Sequence, residues 1–129
     1  MTQHAPPADG DAILIVEDEG LVAMFIEDAL ADLGYACCGV ADTADAALAL
    51  AEAHRPRLAL VDIGLRGRRD GIALAGDLTG RLGIAVLFLT GENDPETLGR
   101  AAAAGPRGFL AKPFTEPEIA DALKAALET

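Results

Sequence analysis

The chain has 129 residues, of which 51% are hydrophobic and 24% are charged. This length is enough for one domain with a packed core and too short for two ordinary domains. The formal net charge is -11 at pH 7. Because phosphates would repel so acidic a protein, nucleic acid and anionic membranes are unsuitable partners. The composition favours a globular protein that meets metal ions or basic protein surfaces.

The first ten residues are predicted to form a flexible tail, because Pro, Gly, Ala and charged residues leave nothing there to bury. The tail lacks the basic start and apolar stretch of a secretory signal. No apolar run approaches the roughly 20 residues that span a bilayer. The adjacent Cys37 and Cys38 would point to opposite faces of a strand, so no disulfide framework is indicated. We therefore expect a cytoplasmic protein.

From residue 11 onward, apolar runs typical of buried parallel strands alternate with helical patterns. The first run covers 13–16, and Gly34 is expected to end the helix that follows it. This helix carries one apolar stripe at helical spacing. The stripe consists of Val22, Phe25, Ile26, Ala29, Leu30 and Leu33. A weaker strand over 35–40 is predicted at an edge of the sheet.

The later elements continue the same alternation. They are a helix over 43–54, a strand over 58–61, a helix opening at Asp70-Gly71, a strand over 84–89, a helix from Asp94, a strand over 108–111 and a helix with a capping box at 115–118. The fourth helix has Leu98 as its only large apolar residue. It is interpreted either as a mobile helix or as a short helix under a shallow surface.

Five strands and five helices in strict alternation predict an α/β fold with helices on both faces of the sheet. The expected fold class is a flavodoxin-like, doubly wound, five-stranded parallel sheet with strand order 2-1-3-4-5. The prediction is one domain over 11–129, preceded by the tail over 1–10.

Polar side chains directly follow four of the apolar runs: Glu17 with Asp18, then Asp62, Thr90 and Lys112. In the expected strand order these groups converge beyond the carboxyl ends of neighbouring strands. Three crowded carboxylates require a positive charge among them, and oxygen ligands with room for water suit Mg²⁺. Asp62 could then act as a nucleophile that forms an aspartyl phosphate, with Lys112 and Thr90 as donors to phosphoryl oxygens.

These motifs resemble the receiver domain of bacterial two-component response regulators over nearly the whole chain, from about 11 to 129. The matching segments are 13–19, 60–63, 88–91 and 109–114. The resemblance implies that Asp62 accepts a phosphoryl group from a histidine kinase or a histidine phosphotransfer protein. It implies a cis Lys112–Pro113 bond and contacts of Thr90 and Lys112 with the phosphoryl group. It also implies that Mg²⁺ is bound by Glu17, Asp18, Asp62 and the backbone carbonyl of Gly64.

Several features differ from the usual family pattern. The loop after Asp62 is longer and rich in glycine, which resembles a subgroup of stand-alone receivers. Its three arginines could steer an anionic donor or form a solvated loop. They are Arg66, Arg68 and Arg69. Phe109, where many receivers have an aromatic residue that moves, could signal by packing or be plain core. Glu92 could influence the attacking water or be merely exposed.

The leading hypothesis is a phosphoacceptor switch that assists its own phosphorylation and dephosphorylation and is not an enzyme in the ordinary sense. Without an output domain, we expect it to act on a downstream protein, without binding nucleic acid directly or inserting into a membrane. An output switch, a relay and a phosphate sink all fit this expectation. The surface of the fourth helix, fifth strand and fifth helix is the expected contact, by resemblance.

Three alternatives compete with this hypothesis. A pseudo-receiver adaptor would bind partners without phosphorylation, although the complete set of polar residues argues against it. A phosphatase with an aspartyl intermediate would need an acid–base carboxylate where Gly64 stands. A nucleotide-binding flavodoxin-like protein is disfavoured because the chain has no phosphate-binding glycine motif.

Overall fold

The computed structural model describes residues 12–65, 70–91 and 94–128. Strands and helices alternate along the chain, and each helix connects two strands except the last. The elements are β1 (Ile13–Val16), α1 (Gly20–Leu33), β2 (Cys37–Ala41), α2 (Ala44–His54), β3 (Leu58–Asp62), α3 (Gly71–Leu82), β4 (Ala85–Thr90), α4 (Pro95–Ala103), β5 (Gly108–Ala111) and α5 (Glu116–Leu127).

The five strands form one parallel sheet in the order β2-β1-β3-β4-β5, as the sequence predicts. The chain moves outward from β1 to the edge strand β2 and then crosses back to β3 on the other side of β1. The strand order therefore reverses between β1 and β3. Such a reversal opens a crevice beyond the carboxyl ends of the strands.

Side chains from the sheet build a separate core on each face. Leu14 and Val16 of β1 face a cluster with residues of α2 and α3. Ile13 and Ile15, which alternate with them, face a cluster with residues of α1 and α5. Because both faces of the sheet are covered, the inner strands are apolar at nearly every position. This explains why each inner strand is a continuous apolar run in the sequence.

Side-chain caps mark the starts of several helices at the predicted positions. The Thr43 hydroxyl accepts a hydrogen bond from the Ala46 amide, and the Asp70 carboxylate accepts one from the Ala73 amide at 2.8 Å. Thr115 forms the predicted capping box with Glu118. Each cap satisfies an amide that the first helical turn leaves unpaired.

The predicted apolar stripe of α1 is wrong at Phe25. The structure buries Ala23, Ile26, Ala29 and Leu30, whereas Phe25 is 43% exposed. Val22 and Leu33 are partly buried against the same core, and Ala23 takes the place of Phe25 among the buried residues. The Phe25 ring stacks on Phe114 beyond the end of β5, with centroids 6.1 Å apart.

Helix α4 buries as little as the sequence predicts. Within 95–103, all of which the structure describes, Ala101 is the only buried residue, and Leu98 is partly buried. Both interpretations of α4, mobile or merely short, stay predictions.

Several other predictions cannot be compared with the structure. Arg66, Arg68, Arg69, Glu92 and the tail over 1–10 lie outside the described residues. The division of the chain into a tail and a domain therefore stays a prediction. Across the described ranges, none of the helices combines the length and apolar character that a membrane span requires.

The start of α3 packs against the end of β3 so closely that residue 71 has no room for a side chain. A Cβ atom on Gly71 would overlap the carbonyl oxygen of Asp62. Gly76, in the same helix, is exposed and would meet nothing within 4 Å. The two glycines therefore allow a matched comparison, because alanine would clash at position 71 and would have room at position 76.

We expect Gly71→Ala to lower the free energy of unfolding by about 2 kcal/mol or more, because backbone must shift to admit the methyl group. Gly76→Ala should raise it by about 0.5–1 kcal/mol, since alanine is the better helix former. Urea unfolding followed by circular dichroism measures both. Equal stability of the two variants would contradict the close packing at Gly71.

Candidate functional site

Five polar residues lie together at the carboxyl ends of four adjacent strands. Glu17 and Asp18 follow β1, Asp62 ends β3, Thr90 ends β4, and Lys112 follows β5. Because β1, β3, β4 and β5 are neighbours in the sheet, their ends bring these side chains to one edge. The convergence predicted from the sequence is confirmed.

Three of these residues form a cluster of carboxylates. Glu17, Asp18 and Asp62 each offer an oxygen, and the three oxygens lie within 4.8 Å of one another. Glu17 is only 1% exposed, and its Oε2 accepts a hydrogen bond from the Glu19 amide at 3.1 Å. The Gly64 amide donates to Asp62 Oδ1 at 3.0 Å. Backbone amides thus orient two of the carboxylates.

The Lys112 ammonium is positioned among the acidic groups. Its Nζ lies 2.8 Å from Glu17 Oε1, and 3.5 Å from both Asp62 Oδ2 and Glu19 Oε1. The Lys112 side chain is 18% exposed. Its backbone amide donates to the Thr90 carbonyl at 2.8 Å, which fixes the turn after β5 against the end of β4. One cation therefore partly balances a cluster of anions.

Burial and the contact between Glu17 and Lys112 shift the pKa of each of these two groups in opposite directions. Burial raises the pKa of Glu17 above its ordinary value, assisted by the charge of Asp62, although the bond to Lys112 lowers it. For Lys112, burial alone would lower the pKa. The hydrogen bond to Glu17 and the charges of Asp62, Glu17 and Glu19 outweigh burial and raise the Lys112 pKa. The ammonium is thus held in its charged form.

A polar cavity of about 240 Å³ opens at this edge of the sheet. Its lining residues are Asp18, Glu19, Asp62, Ile63, Gly64, Thr90, Gly91 and Lys112. The donor set fits a hard divalent cation, because Mg²⁺ takes one or two carboxylates and keeps several waters, for which this cavity has room. The acidic cluster could therefore hold a metal ion.

Most of this chain matches a known family of protein domains. The sequence model described as "Response regulator receiver domain" matches residues 13–124. The chain belongs to this family. Its members are signalling proteins rather than a classical enzyme family, and the receiver is a module of two-component signal transduction.

Relatives of this receiver include larger regulators. The transcriptional regulatory protein PdtaR of Mycobacterium tuberculosis is 33% identical over 127 residues, which cover 95% of this chain and 62% of PdtaR. The phyllosphere-induced regulator PhyR of Methylorubrum extorquens is 35% identical over 116 residues, 89% of this chain and 43% of PhyR. The receiver thus spans less than two thirds of either relative.

A solved structure shows the same fold over nearly the whole chain. The receiver domain of a modulated diguanylate cyclase from Desulfovibrio desulfuricans G20 superposes with a TM-score of 0.86 at 37% identity. The match covers 93% of this chain and 95% of that one. The flavodoxin-like receiver fold is therefore confirmed.

The roles of the predicted site residues stay predictions, although their positions in this receiver are as expected. The Lys112–Pro113 bond is cis, as the resemblance implies. Sequence reasoning gave Glu19 no role, yet its carboxylate contacts Lys112 and lines the cavity. The available signal was a third acidic residue directly after the pair that follows β1.

Phe109 is not plain core, so that interpretation is wrong. Its side chain is 41% exposed, because β5 is an edge strand. Its ring contacts the buried ring of Phe88 on β4, with centroids 5.8 Å apart. The other interpretation, that Phe109 signals by packing, stays a prediction.

Replacing Lys112 by methionine should destabilise the protein in the absence of divalent cations. We expect a loss of roughly 1–3 kcal/mol in the free energy of unfolding, because the carboxylates of Glu17 and Asp62 lose their cation. Added Mg²⁺ should restore part of the loss. Urea unfolding with a chelator and with Mg²⁺ measures both effects.

Lys124→Met provides the matched control, since Lys124 is an exposed lysine in the last turn of α5. Its loss should change the free energy of unfolding by less than about 0.5 kcal/mol. If Lys112→Met matched this control, the ammonium would not be balancing buried charge.

Proposed function

We propose that this receiver is a phosphoacceptor switch in which Asp62 receives a phosphoryl group. The donor is the phosphohistidine of a sensor histidine kinase or a histidine phosphotransfer protein, and transfer depends on Mg²⁺. The observation that supports the proposal best is the position of Asp62. Its carboxylate lines an open polar cavity between two other carboxylates and the ammonium of Lys112.

In the proposed transfer, an Asp62 carboxylate oxygen attacks phosphorus and forms an acyl phosphate. The bond from phosphorus to the histidine nitrogen breaks, and the nitrogen keeps the electron pair. The Gly64 amide orients Asp62 through the bond to Oδ1. Lys112 and Thr90 line the same cavity and would donate to phosphoryl oxygens.

Glu17, Asp18, Asp62 and the carbonyl of Gly64 would hold Mg²⁺. The bound ion supplies positive charge against the oxygens of the phosphoryl group. The chain's own carboxylates are too crowded for efficient approach of an anionic donor without a cation, since three lie within 4.8 Å of one another. This repulsion is the physical reason for the proposed metal dependence.

The switch would act by changing a protein-binding surface on α4, β5 and α5. Lys112 follows β5 directly, and Phe109 in β5 contacts Phe88, so a change at the site has a short packed route to this surface. The partner would be a downstream protein in the cytoplasm, with no direct contact to nucleic acid and no membrane insertion. The receiver domain is proposed to cover 11–129.

Incubation with acetyl phosphate and Mg²⁺ should add one phosphoryl group to the wild-type protein, measured by intact mass spectrometry. Asp62→Asn should show no gain, because the amide is not a nucleophile here. A gain that persists in Asp62→Asn would move the acceptor to another residue. A wild type that gains nothing would instead support the pseudo-receiver adaptor.

Mg²⁺ binding should weaken as the pH falls. The weakening should begin at a higher pH than it would if the ligand at position 17 were a solvent-exposed glutamate. Burial raises the pKa of Glu17 above its ordinary value of 4.5, and only the ionised carboxylate binds the metal. Isothermal titration calorimetry from neutral to mildly acidic pH measures the dissociation constant. Glu17→Gln should bind more weakly and lose this part of the pH dependence; an unchanged pH profile would contradict the assignment.

A further inference from the structure

Among the described residues, the contact recorded for the Glu19 side chain is the ion pair with Lys112. Glu19 is the N-cap residue of α1, but its side chain makes no capping hydrogen bond. The side chain is 63% exposed, and its Oε1 lies 3.5 Å from Lys112 Nζ. The bond from residue 19 to Glu17 comes from the backbone amide, so it survives side-chain replacement. The Glu19 carboxylate is therefore available for a role toward Lys112.

Lys112 Nζ has two acidic neighbours at the same distance. Asp62 Oδ2, on the proposed acceptor, is 3.5 Å away, and Glu19 Oε1 is also 3.5 Å away. The third neighbour, Glu17 Oε1, is closer at 2.8 Å and buried. Since an ammonium has three donors, a phosphoryl oxygen on Asp62 must compete for one of them. The exposed Glu19 is the neighbour that is easiest to displace.

The Glu19–Lys112 pair also separates two cavities. The polar cavity of about 240 Å³ contains Asp62 and Thr90. A second cavity of about 440 Å³ is mostly apolar and is lined by residues such as Phe25 and Phe114. Glu19 and Lys112 are the two residues that line both cavities. The ion pair thus lies where the two cavities meet, with the ammonium already beside Asp62.

We propose that Glu19 is a positioning residue that restrains the Lys112 ammonium and competes with the phosphoryl group on Asp62 for it. The inference rests on the proposed function, and it adds a residue that sets how strongly the phosphoryl group is held. Neutralising Glu19 removes one of the three anions around the ammonium, so a phosphoryl oxygen on Asp62 meets less competition for it. Because exposed ion pairs are weak, the effect on an equilibrium constant is modest, about threefold.

The test measures binding of beryllofluoride, a stable mimic of a phosphoryl group on a carboxylate, at saturating Mg²⁺. Glu19→Gln should bind about threefold more tightly than wild type, since a neutral amide attracts the ammonium less strongly than a carboxylate does. Amide chemical shifts of Gly64 and Thr90 report the occupancy of the site. The phosphorylation rate with acetyl phosphate, followed by intact mass, should rise in the same variant.

Glu27→Gln is the matched control for net charge. Glu27 is also an exposed glutamate of α1, and its replacement removes the same charge. It should leave beryllofluoride affinity and phosphorylation rate unchanged. If Glu19→Gln also left both unchanged, the inference would be overturned.

Two further variants separate an effect through Lys112 from a direct effect of the Glu19 charge. Glu19→Gln in a Lys112→Gln background should change beryllofluoride affinity by less than about 1.3-fold, because the residue it acts through is absent. A full threefold effect in that background would overturn the inference. Glu19→Asp keeps the charge but shortens the reach, so it should resemble Glu19→Gln; wild-type affinity there would count against the contact.

The wild type separates failure of this inference from failure of the proposed function. If wild type takes a phosphoryl group on Asp62 while Glu19→Gln matches Glu27→Gln, only the role of Glu19 is wrong. If wild type takes up neither a phosphoryl group nor beryllofluoride, the phosphoacceptor function is wrong and the role of Glu19 fails with it.

Discussion

The structure depends on one electrostatic constraint, the crowding of three carboxylates at a sheet edge that offers a single ammonium. Glu17, Asp18 and Asp62 lie within 4.8 Å of one another, and Lys112 contacts Glu17 and Asp62. A cluster with this excess of negative charge attracts a cation strongly. The same excess explains why Lys112 keeps its charge in a largely buried position, since its anionic neighbours outweigh the effect of burial on its pKa.

The parallel sheet supplies the geometry of this cluster. Its inner strands are covered on both faces, so polar groups can only appear where a strand ends. The order β2-β1-β3-β4-β5 places the ends of β1 and β3 side by side at the reversal of the sheet. The tight approach of Gly71 to the Asp62 carbonyl then sets the start of α3 against the end of β3. Fold stability and site geometry are therefore built from the same contacts.

A second, apolar cavity adjoins the polar one, and this arrangement links the site to a different part of the surface. Phe25 and Phe114 stack at the apolar side, while Glu19 and Lys112 form the shared wall. The proposed competition between Glu19 and a phosphoryl group depends on this shared wall. It would allow a residue outside the predicted ligand set to tune how tightly the receiver holds phosphate.

The boundaries of most helices and the polar strand ends at Asp62, Thr90 and Lys112 were predictable from the sequence, because periodicity and polar strand ends are local signals. The strand order followed from the alternation of strands and helices, because crossovers between parallel strands obey one handedness. It did not determine that Phe25 and Phe109 are half exposed, since exposure depends on which neighbouring elements cover a residue. That Glu19 shares Lys112 with Asp62 became visible in the tertiary structure. That contact joins the loop after β1 to the loop after β5, and no local pattern specifies the distance between side chains so far apart in the chain.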